Sequence, residues 1–166
     1  MAELVVFYSL TGKSREVAER LATALNAQIE EIVEERPRGF AFRGLFRSAL
    51  ETLLRLRPSI KAMHQREGIF DRVILVCPVW GGLVAAPART WLHRYGRGAK
   101  TLGVVLLSGD GVARPGTLRE FESIIGRRPK PVLTMSEYDF RDRVVGRKVE
   151  AFVRSITTEA AKFPVS

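Results

Sequence analysis

The chain has 166 residues, 46% of them hydrophobic and 27% charged, values that suit one folded domain spanning 1–166 and exclude a disordered, collagenous or coiled-coil chain. A single cysteine excludes an internal disulfide framework, and the two histidines, His64 and His93, lie too far apart to show metal-ligand spacing, so no metal is expected. Lys and Arg total 27 against 18 acids, a net charge of +9, which favours anionic partners or reflects an arginine-rich composition.

The first element, Leu4–Tyr8, is short, apolar and β-branched, and reads as a buried strand that ends at Ser9-Leu10-Thr11-Gly12. Val17, Ala18, Leu21, Ala22 and Leu25 then recur at helical spacing, predicting an amphipathic helix that starts near Ser14. Ala27–Val33 reads as a second strand. Phe42, Leu45, Phe46, Ala49, Leu50, Leu53 and Leu54 form a helical stripe that Pro58 stops. Val73–Cys77 is the third strand and ends at Pro78, which leaves Trp80 in a turn. A helix is expected over Val84–Tyr95, with Pro87 in its first turn. Thr101–Leu107 is the fourth strand, followed by Ser108-Gly109-Asp110-Gly111 and a helix carrying Leu118, Phe121, Ile124 and Ile125. Pro131–Met135 is the fifth strand, and Val144–Ala161 the closing helix.

Five alternations of apolar strand and helix imply a parallel sheet covered on both faces, an α/β fold of three layers, α/β/α. The charge-free stretch Val73–Ala88 contains Pro78, Gly81, Gly82 and Pro87, so it does not read as a membrane span, and the lack of a basic leader makes the cytoplasm the expected compartment.

In an open parallel sheet, ligands bind beyond the carboxyl ends of the strands. The unusual loops lie there. Ser9, Thr11 and Ser14 offer hydroxyls to a phosphate, Gly12 allows a tight wrap, the following helix start offers unpaired N–H groups, and Lys13 and Arg15 add charge nearby. The same residues also suit an ordinary strand-to-helix turn with a serine cap. The loop matches neither the Walker pattern nor Gly-x-Gly-x-x-Gly. Pro78-Val79-Trp80-Gly81-Gly82 offers a ring and exposed amides to a planar heterocycle, or a core tryptophan closing a turn.

Ser9-x-Thr11-Gly12-x-Ser14 resembles the phosphate loop of flavodoxins, and Pro78-Val79-Trp80-Gly81 resembles the second flavin loop of short flavodoxin-like proteins. The likeness extends to Pro87-x-Arg89-Thr90-x-Leu92 and to the Ser-Gly loop at 108–111, and covers Leu4 to about Val153. This resemblance implies a five-stranded parallel sheet in the order 2-1-3-4-5 and a bound flavin mononucleotide, FMN. It assigns Ser9, Leu10, Thr11, Gly12, Lys13 and Ser14 to the phosphate end, with Lys13 acting through its backbone N–H. It assigns Pro78, Val79, Trp80, Gly81 and Gly82 to the isoalloxazine, and Ser108, Gly109 and Asp110 to its pyrimidine end. The chain departs from electron-carrier flavodoxins in its basic charge, in Lys13 where Asn is frequent, and in lacking a Tyr at 108–111 to cover the outer flavin face. It also has a long basic segment between strands two and three. The function implied is FMN-dependent redox, either electron transfer or a small oxidoreductase, with no catalytic side chain assigned.

The segment from Arg36 to Arg66 holds eight basic residues, Arg36, Arg38, Arg43, Arg47, Arg55, Arg57, Lys61 and Arg66, against Glu51 alone. It suits an acidic redox partner, a nicotinamide nucleotide (NADH or NADPH), an anionic membrane surface, or simply solvent. Nucleic acid is disfavoured, because no recognised module accompanies the charge. A homodimer is compatible with the sequence. The alternative function is a binding module of the same fold that has lost flavin and docks an acidic partner through 36–66. Asp110 and Arg114 are candidates to face a substrate, Tyr138 and Phe140 either border the cleft or pack on the last helix, and Cys77 reads as a buried hydrophobe.

Overall fold

A computed structural model describes residues 2–35, 57–63 and 70–162. The predicted helix over 42–54, His64 and most of the basic segment lie outside these residues. Among them, five strands run parallel in one sheet: β1 (Glu3–Phe7), β2 (Gln28–Glu31), β3 (Arg72–Trp80), β5 (Thr101–Leu107) and β6 (Val132–Met135), in the order β2-β1-β3-β5-β6. A two-residue strand, β4 (Leu83–Val84), pairs antiparallel with the end of β3. Counting the parallel strands alone, this is the expected order 2-1-3-4-5.

Alternation along each strand divides the core into two layers. From β1, Leu4 and Val6 face one side, while Val5 and Phe7 face the other; from β3, Val73, Leu75 and Cys77 oppose Ile74 and Val76. The first side is covered by α2 (Ala86–Trp91), its π-helical continuation Leu92–Gly96, and α3 (Pro115–Ile125), through Ala88, Trp91, Leu92, Phe121 and Ile124. The second side is covered by α1 (Lys13–Leu25) and α5 (Val145–Lys162), through Val17, Leu21, Val149, Phe152 and Ile156. Phe121 is fully buried, so truncating it to Ala costs about 3–5 kcal/mol.

Three boundaries differ from the sequence reading. The second strand is shorter, and Ile29 is 40% exposed at the sheet edge, while Ile32 beyond it reaches the core at 2%. The third strand does not stop at Pro78. It continues to Trp80 because Val79 and Trp80 pair with Val84 and Leu83, and Gly81 and Gly82 close the two-residue turn with φ of 57° and 79°. The expected helix over Val84–Tyr95 starts at Ala86 instead, because the backbone of Val84 is held by side chains: its N–H donates to Glu120 at 2.9 Å and its C=O accepts from Arg89 at 3.0 Å. Pro87 sits in the first turn of α2, where its missing N–H costs nothing.

A further short helix, α4 (Glu137–Arg141), follows β6. Ser136 and Asp139 make a reciprocal capping box, in which the Ser136 N–H donates to Asp139 at 2.6 Å. No helix among the described residues is long and apolar enough to cross a membrane.

Candidate functional site

The site is built at the carboxyl ends of β1, β3, β5 and β6. After β1, Gly12 takes φ 91° and stands just before α1, and its N–H donates to Ser9 Oγ at 3.0 Å. A side chain at that φ is strained even though the space beside it is open. Glu16 N–H donates to Gly12 C=O at 3.0 Å, so the N–H groups of Lys13, Ser14 and Arg15 have no acceptor within the helix. Ser14 is only 3% exposed and lines the cleft, and its hydroxyl has no hydrogen-bond partner among the described residues. Thr11 lines the cleft beside it and is exposed. Helix start, amides without a helical acceptor and hydroxyls together form a donor set of the kind that suits an anion.

The cationic side chains of this loop are already engaged. The Lys13 ammonium pairs with Glu137 across the cleft and sits 5.5 Å from the Phe140 ring. Arg15 forks onto both oxygens of Glu31 at 2.7 Å and covers Phe7, so its charge is directed to β2 and away from the loop. Positive charge expected near the loop from Lys13 and Arg15 is thus balanced by two acids, and the backbone supplies the remaining attraction for an anion.

After β3, Trp80 ends a strand rather than lying in a turn, and meets Tyr8 edge-on with ring centroids 6.3 Å apart. Tyr8 is itself fixed by a 2.8 Å bond to Glu34. The hairpin is braced from behind. Arg89 and Glu120 form a buried ion pair at 2.6 Å, with both groups bonded to Val84, and the Thr117 hydroxyl donates to Gly82 C=O at 2.5 Å. Glu120 and Thr117 carry no sequence signal of this role, because it depends on α3 crossing behind β4.

After β5, Asp110 accepts from Ser108 Oγ at 3.1 Å, from Val112 N–H at 3.2 Å and from Arg114 at 2.8 Å. The Val112 N–H, then Arg114 and Ser108, hold its carboxyl below the usual range. Asp110 therefore staples its own loop. Arg114 leans towards the hairpin, with its Cδ 3.4 Å from where a side chain on Gly82 would begin.

A cleft of about 190 Å³ joins these ends. Of the residues singled out in the sequence, Leu10, Thr11, Lys13, Ser14, Pro78, Val79, Trp80, Ser108 and Gly109 line it. Ser9, Gly12, Gly81, Gly82 and Asp110 do not line it, and act instead in the turns that shape it. Leu107, Met135, Ser136 and Glu137 line it as well, as does Phe140, which the sequence offered either to the cleft border or to packing. The last four follow from the sheet order, which sets the end of β6 beside the end of β5, and Phe140 also packs on the core. Cys77 is fully buried, and burial raises its thiol pKa well above the ordinary value. Of the basic segment, Arg57 and Lys61 are described, and both are exposed.

No protein-family model matches the sequence, and no curated protein matches it. Solved structures do match. A candidate flavoprotein from Bacteroides eggerthii DSM 20697 superposes with a TM-score of 0.70 at 19% identity, covering 92% of this chain and 98% of the other. This is a flavodoxin-like fold. A flavoprotein from Lactobacillus acidophilus NCFM, solved in complex with FMN, matches with a TM-score of 0.67 at 17% identity over 85% of this chain and 97% of its own. A flavodoxin from Streptococcus pneumoniae TIGR4 matches with a TM-score of 0.55 at 15% identity over 96% and 99%. The flavodoxin-like fold places the loops after β1, β3 and β5 at one end of the sheet, where the cleft lies.

Proposed function

We propose that the cleft binds FMN, with the phosphate at the start of α1, and that the chain is an FMN-dependent redox protein, a small oxidoreductase in preference to a pure electron carrier. The observation that carries this reading is Ser14, a residue only 3% exposed whose hydroxyl opens onto the cleft with no hydrogen-bond partner among the described residues, beside three helix N–H groups that have no acceptor within the helix. The donor set suits a phosphate. The amides of Lys13, Ser14 and Arg15 and the hydroxyls of Thr11 and Ser14 would hold it, and Glu137, the acid that lines the cleft, is paired with Lys13. Trp80 and the open space beside Gly81 and Gly109 suit a flat ring at the other end. The cleft is smaller than the roughly 300–1,000 Å³ of enclosing pockets, which suits a ligand left partly open to solvent.

The flavin supplies the redox chemistry, and the protein orients it and sets its potential. The loop after β5 brings no aromatic side chain over the cleft, so a small donor or acceptor has direct access, and this favours the enzyme over the carrier. Titrating the purified chain with FMN tests the reading. Quenching of flavin fluorescence at one-to-one stoichiometry is expected. Protein that leaves FMN unaffected at high concentration refutes it and favours a flavin-free docking module. Reduction of bound FMN by NADH or NADPH alone supports an oxidoreductase, whereas a requirement for a partner reductase supports a carrier.

A further inference from the structure

A second cleft, of about 440 Å³, adjoins the first and is lined by Lys13, Gly109, Glu137, Tyr138, Phe140 and Arg141. Four of these residues are common to both clefts, but Pro78, Val79 and Trp80 line only the first. The second cleft therefore opens between the Lys13 side chain and α4, away from Trp80 and from Thr11 and Ser14, which line only the first.

Its chemistry is specific. Tyr138 is 59% exposed, a large ring with no place in the core, and the Arg141 guanidinium stacks on it at 5.4 Å. Arg141 has no carboxylate partner among the described residues. Lys13 reaches this cleft from the other wall, over the Phe140 ring. Exposed rings stack flat bases, guanidinium and ammonium groups take phosphate oxygens, and a carboxylate such as Glu137 accepts hydrogen bonds from vicinal ribose hydroxyls.

We propose that this second cleft binds a purine nucleoside 5′-phosphate, with the base on Tyr138, the ribose at Glu137, whose carboxylate is held by Lys13, and the phosphate at Arg141. Two sources share that chemistry. One is the adenylate half of flavin adenine dinucleotide, continuing from a flavin phosphate in the first cleft. The other is a free adenine nucleotide. The dinucleotide source rests on the FMN reading above, and the free nucleotide does not.

Calorimetric titration of the full chain with FMN, with flavin adenine dinucleotide and with AMP separates the cases. A joined adenylate makes the dinucleotide bind at least about tenfold tighter than FMN, and a free nucleotide site shows AMP binding with or without FMN present. Tyr138→Ala and Arg141→Glu, both at exposed positions, should each weaken the dinucleotide or AMP by about tenfold and leave FMN within about twofold. The proposal is overturned if the dinucleotide gains nothing over FMN and millimolar AMP is silent. It is equally overturned if both variants leave nucleotide binding unchanged or weaken FMN as much. AMP binding without any FMN binding would refute the FMN reading alone.

Discussion

Replacing Ser14 by Ala should move two measurements in opposite directions. Ser14 occupies the second position of α1, is 3% exposed and has no hydrogen-bond partner among the described residues. Gly12 is the residue that caps the helix, so no cap is lost. In the ligand-free chain the hydroxyl opens onto the cleft with no hydrogen-bond partner among the described residues, and Ala is the better helix former. The substitution should therefore stabilise the ligand-free protein by about 0.5 kcal/mol. With FMN bound, the same hydroxyl would donate to a charged phosphate oxygen, a bond worth about 1.5–3 kcal/mol. At about 1.4 kcal/mol per decade, FMN affinity should fall roughly tenfold to 100-fold. Riboflavin, which lacks the phosphate, should be held within about twofold of its original affinity. Urea unfolding followed by tryptophan fluorescence gives the first quantity, and flavin titration gives the second. Equal losses for FMN and riboflavin would refute the phosphate assignment. A ligand-free variant that lost more than about 1 kcal/mol would show that the hydroxyl serves the fold.

Glu120→Ala removes the acceptor of both Arg89 and the Val84 N–H from a buried site, and should cost about 2–4 kcal/mol in urea unfolding, with a change in Trp80 emission as the hairpin loosens. Gly12→Ala places a side chain at φ 91°, and should cost about 1–2 kcal/mol by the same measurement although the site is sterically open. Asp139 gives a pH dependence. Burial would raise its pKa, but the Lys148 ammonium at 2.8 Å and the bonds from Ser136 outweigh burial and hold it below the ordinary 3.8. Because the folded value is the lower one, the stability it contributes is complete above 3.8 and is lost as pH falls through the folded value. Asp139→Asn should flatten the acid limb of a plot of melting temperature against pH between those values.

The residues that alternate or repeat locally made much of the architecture legible. Leu4–Tyr8, Val73–Val76 and Thr101–Leu107 are short apolar runs between turn residues, and Val17 to Leu25 repeats at helical spacing, so strands, helices and their parallel arrangement follow from burial alone. That hydroxyls, a glycine and a helix start meet in one loop was legible too, because they lie within six consecutive residues, Ser9 to Ser14. The five-residue α4 was not legible in the sequence, because it is too short to show an apolar period, and only the Ser136–Asp139 capping box in the folded chain marks its start.

Other features depend on partners distant along the chain. Val84 reads as helix by periodicity, yet Glu120, 36 residues later, captures its N–H and holds it in a hairpin, so strand pairing wins over local propensity. Lys13 and Arg15 read as charges for a ligand, and only the packed chain brings Glu137 and Glu31 to neutralise them. Local periodicity sets which backbone segments bury a face, whereas the order of strands in the sheet decides which loop ends meet. That order alone carries Phe140 and Glu137 to the wall of a cleft whose other side begins at Leu10.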